Sequence, residues 1–164
     1  MMGSPATGLL LLFIVRTFAA TQCPEPFQLL GENCYYFATE TMSWEEARDY
    51  CRSLSQNYAS DLAVFDFTCD DYRHIFAHMS VTAITPAHWI GASQLGHQGY
   101  WTWIDSRPMD LSASYWREDE PMSTHEWNCA QILKEGGFQR FCLISNNCSN
   151  SRHFVCQLDM HGRR

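Results

Sequence analysis

Basic residues are scarce in this chain: 11 Lys and Arg stand against 18 Asp and Glu in 164 residues, a formal net charge of −7. Nucleic-acid binding is driven by cationic side chains that release condensed counterions, so the acidic balance excludes that partner. It also argues against docking on anionic lipid. Past the leading residues no apolar run is long enough to span a bilayer, so no membrane insertion is expected. A Gly-rich phosphate loop and a Gly-x-Ser-x-Gly elbow are both missing. His74 and His78 could share a helix face, but Ile75 occupies the place where a zinc peptidase needs Glu, and the pair reads as a solvated surface. No two cysteines are separated by only two to four residues, as paired zinc ligands usually are. Internal repeats, low-complexity tracts, linkers and heptads are absent as well. These gaps nominate no catalytic residue and give no reason to expect an enzyme.

What is present begins with a short apolar run, Gly8 to Val15, followed by the small residues Ala19 and Ala20. That is the layout of a secretory signal peptide, expected over residues 1–20. The absence of Lys or Arg ahead of the run, and Arg16 just after it, keep an uncleaved N-terminal anchor as the alternative. Cleavage would remove Arg16 and no acid, leaving ten basic residues against 18 acidic ones and a net charge of −8. The remaining chain, roughly 144 residues, suits one secreted, extracellular domain with a full hydrophobic core. It carries eight cysteines: Cys23, Cys34, Cys51, Cys69, Cys129, Cys142, Cys148 and Cys156. An even number behind a secretory leader predicts four disulfides and leaves no thiol as a nucleophile.

Ser43-Trp44-Glu45-Glu46 predicts a helix start, with Ser43 as cap and Glu46 closing a capping box. Trp44, Ala47, Cys51 and Leu54 then share one face. A second helix is expected from near Thr68 to Asp71, with Tyr72, Ile75, Phe76 and Met79 as its apolar stripe, Asp66, Asp70 and Asp71 as start acids, and Pro86 beyond its end. Strands are predicted at Asn33 to Phe37, His88 to Ala92, Asn128 to Leu133, Phe138 to Leu143 and His153 to Gln157. Between Gly91 and Trp127 runs a long stretch dense in Gly, Ser, Asp, Pro and Trp, and a loop of that length inside a domain is usually functional. Asn147-Cys148-Ser149 fits the glycosylation pattern, but its middle residue is a disulfide candidate, and poor occupancy is expected.

In order along the chain stand Cys23-Pro24, Cys34-Tyr35-Tyr36-Phe37, Trp44 with Ala47 and Cys51, Asp61-Leu62-Ala63-Val64, Trp89-Ile90-Gly91, Trp101-Thr102-Trp103-Ile104-Asp105, Glu120-Pro121, Cys129, Cys148 and Phe154-Val155-Cys156. This series resembles the C-type lectin-like domain family, here over residues 23–158. The resemblance implies an α+β fold: two helices packed on short antiparallel sheets, with a long loop region, stabilised by disulfides. It also implies the pairings Cys23–Cys34, Cys51–Cys156 and Cys129–Cys148, which leaves Cys69 and Cys142 as a fourth pair by exclusion.

Sugar-binding members hold a calcium ion that also touches sugar hydroxyls, and calcium takes six to eight oxygens. The resemblance implies ligands from a Glu-Pro-Asn or Gln-Pro-Asp triplet, a Glu two before Cys129, and a Trp-Asn-Asp triplet starting five before Cys148. This chain has Glu120-Pro121-Met122, Trp127 with Glu126 displaced by one, and Leu143-Ile144-Ser145 in those places. Only Glu120 matches, with Glu126 as a shifted candidate, so no cofactor is expected and these two carboxylates are the residual calcium candidates. The ligand-binding loop is therefore read as Glu120, Pro121, Met122, Glu126, Trp127 and Ser145, with Trp116 packed inside the loop and Trp127 open to either role.

Two functions follow from this reading. One is a secreted, pattern-recognising lectin that binds carbohydrate or microbial and cell-surface ligands without the usual calcium site. The other is a lectin-fold module that binds a protein partner through Met122, Trp116 and Trp127 and has no sugar activity. A lone domain of this kind can gain avidity as a homo-oligomer, although no heptad region is there to drive assembly.

Overall fold

The computed structural model describes residues 22–65, 71–82, 87–122, 125–135 and 140–160. In chain order the elements are β1 (Gln28–Leu30), β2 (Asn33–Phe37), α1 (Trp44–Ser53), β3 (Ala59–Leu62), α2 (Asp71–Val81), β4 (His88–Ser93), β5 (Thr102–Trp103), β6 (Cys129–Glu135), β7 (Arg140–Asn146) and β8 (His153–Asp159). This is the expected α+β class. Strands run β1-β2-β8-β4-β6-β7, with β3 added on β8 and β5 on β4. One pairing departs from an all-antiparallel sheet: β4 and β8 run parallel through His88↔His153 and Trp89↔Phe154.

The capping box forms as the sequence predicts, with the Ser43 amide donating to Glu46 Oε2 at 3.0 Å and the Glu46 amide donating to Ser43 Oγ at 3.4 Å. Trp44, Ala47 and Cys51 are the buried face of α1. The Trp44 indole donates to the Ile90 carbonyl at 2.8 Å, and Cys51 is bonded to Cys156, so one helix face fastens α1 to both β4 and β8. Arg48 and Arg52 of α1 converge on Asp61 of β3, each Nε at 3.2 Å from a carboxylate oxygen. Gly91 in β4 is required by packing, because a Cβ there would stand 2.8 Å from the Leu62 carbonyl and 2.9 Å from Ile104 Cδ1.

Three strands carried too little signal to be anticipated: β1 and β5 span three and two residues, and β3 holds Asp61. The predicted strand starting at Asn128 begins one residue later, and Phe138 lies outside the described residues. In α2, Ile75 and Met79 are buried as the apolar stripe requires. His78 corrects the expectation of a solvated pair: it is half-buried, with its ring 4.7 Å from that of Phe37, whereas His74 is exposed. A helix face turned partly toward β2 gives that histidine an aromatic neighbour that the helical pattern alone does not reveal. Among the expected start acids, Asp66 and Asp70 lie outside the described residues.

Two further disulfides join Cys23 to Cys34 and Cys129 to Cys148. Cys142 is buried in β7, while Cys69 lies outside the described residues and with it the expected fourth pair.

Candidate functional site

The excursion between β4 and β6 is held to the sheets at several points. Ile104 donates to the Gly91 carbonyl at 2.8 Å, and β5 pairs Trp103 with Ala92. Farther along, the Leu143 amide donates to Tyr115 at 2.8 Å and the Arg117 amide to Leu143 at 3.0 Å, so residues 115–117 lie along the edge of β7. Trp116 is buried there, as expected, edge-on to Trp101 at 5.4 Å. The Tyr115 hydroxyl donates to the Asp110 carbonyl at 2.8 Å. Burial raises the Tyr115 phenol above its ordinary pKa, reinforced by the Asp110 charge.

Stitching residues 115–117 to β7 carries Glu120 directly over Ser145. The Glu120–Pro121 peptide is cis. The Glu120 side chain is only 2% exposed, and among the described residues its hydrogen-bond partners are donors. Its Oε2 accepts from the Ser145 hydroxyl at 2.5 Å, the Ser145 amide at 2.9 Å and the Met122 amide at 3.0 Å. Its Oε1 faces the Arg117 guanidinium at 3.3 Å. The Met122 amide is shared with Ser145 Oγ at 2.9 Å. A buried carboxylate is tolerable only when paired and hydrogen-bonded, and Arg117 supplies the charge while three donors fill one oxygen. Arg117 was missed by sequence reasoning, although its position three before Glu120 is the spacing of an ion pair on one turn.

The other anticipated residues separate into two groups. Pro121 and Met122 follow Glu120 on the same turn, with Met122 39% exposed. Glu126 and Trp127 lie on the turn before β6, Glu126 exposed and Trp127 half-buried. Among the described residues no three His, Cys, Asp or Glu side chains converge as a metal-binding group. The donors that crowd Glu120 are N–H, O–H and guanidinium, the reverse of the open oxygen shell calcium requires.

A residue with no sequence signal organises the second turn. Gln94, 2% exposed, donates from Nε2 to the Trp127 carbonyl at 3.3 Å and accepts from the Gly99 amide at 2.8 Å. Its own amide donates to Asn128 at 2.9 Å. One carboxamide thus joins the turn after β4 to the turn before β6.

A family model described as "Lectin C-type domain" matches residues 40–158. The chain is 30% identical over 138 residues to human C-type lectin domain family 17, member A, an alignment covering 82% of this chain and 32% of that protein, so the chain spans about a third of that relative's length. Echinoidin from Heliocidaris crassispina is 25% identical over 147 residues, covering 84% of this chain and 97% of echinoidin. The crystal structure of the C-type lectin CEL-I from Cucumaria echinata matches with a TM-score of 0.71 at 22% identity, covering 86% of this chain and 100% of CEL-I, which is a likeness of fold.

Proposed function

The chain belongs to the C-type lectin domain family, and from that membership we propose that it is a secreted recognition module whose long-loop face binds carbohydrate without calcium at Glu120. The family consists of non-enzymatic carbohydrate-binding proteins, so the chain acts by recognition and catalyses nothing. C-type lectin domains commonly bind calcium. The observation that supports the calcium-independent reading is the engagement of Glu120 by its own chain: Oε2 accepts from the Ser145 hydroxyl, the Ser145 amide and the Met122 amide, and Oε1 faces the Arg117 guanidinium. Binding glycans by this chain then depends on direct contacts from loop side chains.

Secretion is supported by the leader-like residues 1–20 and by three disulfides, which persist in oxidising compartments. Among the described residues no helix is long and apolar enough to cross a membrane. A second reading, a protein partner, is favoured by the exposure of Met122, since Met and aromatic residues are enriched at interface cores.

A glycan array run in calcium and again in chelator separates these readings. The expected result is binding that persists in chelator. Signal abolished by chelator sinks the calcium-independent reading, and binding to no glycan under either condition transfers support to the protein partner.

A further inference from the structure

Asn147-Cys148-Ser149 is the only Asn-x-Ser/Thr triplet in the chain, the pattern at which an asparagine Nδ2 accepts a glycan. It follows directly on β7, and the fold holds it in a tight turn. The Asn150 amide donates to the Asn147 carbonyl at 3.0 Å, and the Ser149 amide to Asn147 Oδ1 at 2.9 Å. Cys148 is fastened twice, by its bond to Cys129 and by its carbonyl, which accepts from the Trp44 amide at 2.9 Å. A transferase needs these three residues loose enough to enter its own cleft, and the folded turn, with Asn147 half-buried, does not offer them. The Asn147 carboxamide nevertheless has room in its bonding: Oδ1 is engaged, while Nδ2 has no hydrogen-bond partner among the described residues.

We propose that Asn147 is an N-glycan acceptor that stays open only until the Cys129–Cys148 bridge closes, so that glycan transfer and disulfide formation compete for one segment. The proposal rests on the secreted reading above, because both reactions belong to the secretory compartment. In the transfer, a bond forms between Asn147 Nδ2 and the anomeric carbon of an oligosaccharide carried on a lipid pyrophosphate. The bond from that carbon to the pyrophosphate oxygen breaks, the pyrophosphate leaves with the electron pair, and Nδ2 gives up one proton. In the competing reaction the Cys129 and Cys148 thiols pass two protons and two electrons to a protein disulfide, which is reduced to two thiols. Cys129 stands only 19 residues ahead of Cys148, a loop that costs little entropy to close, so the bridge competes from the moment Cys148 emerges. Because Cys148 is the middle residue of the triplet, closing the bridge removes the acceptor. A glycan attached earlier survives folding, since it displaces no hydrogen bond of Nδ2 and leaves the Ser149 amide on Oδ1.

The test expresses the full chain in secretory cells and reads, in lysate and medium together, the share of molecules shifted by peptide N-glycosidase. With a single triplet in the chain, any such shift reports Asn147. The expected result is a minor glycosylated share for wild type, raised at least about three-fold in Cys129→Ala, which leaves the triplet intact. Cys129→Ala can fail to fold, so wild type is also made with a membrane-permeant reductant, which prevents the bridge without a substitution and is expected to raise the share likewise. Ser149→Ala, which leaves the backbone bond to Asn147 Oδ1 in place, is expected to abolish the shift under every condition. No glycan in Cys129→Ala or in reductant, on chains whose leader has been removed, overturns the site and leaves secretion standing. An equal share with and without the bridge overturns the competition. Chains that stay in the cytosolic fraction with residues 1–20 intact bring down the secreted reading and this site with it.

Discussion

Glu120 and Ser145, twenty-five residues apart, meet at 2.5 Å, and the serine gives the carboxylate both its hydroxyl and its backbone amide. Together with Arg117 they form a hydrogen-bonded cluster in which the carboxylate faces a guanidinium at 3.3 Å. The loop conformation is thereby held by the chain's own donors.

Ser145→Ala is expected to lower stability by about 1–3 kcal/mol, because a buried carboxylate loses a donor. In thermal unfolding the wild-type Tm should be the same in calcium and in chelator, and the variant's Tm lower in both. A calcium-dependent rise in wild-type Tm would show the cluster opening to an ion.

Removing the Cys51–Cys156 bridge should be the most damaging loss of a disulfide. It closes a sequence separation of 105 residues, compared with 19 for Cys129–Cys148 and 11 for Cys23–Cys34. On the chain-entropy model the longest loop contributes about 4–5 kcal/mol. Denaturant titration of Cys51→Ala/Cys156→Ala against the other two double variants checks the ranking.

Gly91→Ala is expected to destabilise by about 1–3 kcal/mol, through overpacking. The new Cβ meets the Leu62 carbonyl, a backbone atom, at 2.8 Å, so no side-chain rotation relieves the contact. A loss below half a kcal/mol in equilibrium unfolding would mean that β3 and β4 separate easily.

Burial holds the His78 imidazole below its ordinary pKa. The unfolded chain then takes up a proton more readily than the folded one, so this contribution is complete above about pH 6.5 and is lost as the pH falls below it. His78→Gln should therefore show a shallower decline of Tm between about pH 6.5 and 5 than wild type, with the gap closing toward neutral pH. Parallel curves would remove His78 as a source of acid sensitivity.

Much of the fold was legible in the order of residues, for identifiable reasons. The capping box at Ser43 and Glu46 and the apolar face of α1 are local patterns, and local hydrogen bonding enforces them wherever the helix sits. Aromatic and β-branched runs marked β2, β4 and β8, whereas two- and three-residue strands exist only because a longer partner lies beside them. That Met122 and Ser145 differ from the ligands the family resemblance implies was visible as simple substitution of residue types.

By itself, then, the sequence determined the acidic character, the helices and the longer strands. Only the tertiary structure decided which polar partners meet: Arg117 and Ser145 around Glu120, and Gln94 between two distant turns. The physical reason is that a buried polar group must find its partners through space. Those partners reach it from positions that chain pairing, not sequence spacing, brings within hydrogen-bonding distance.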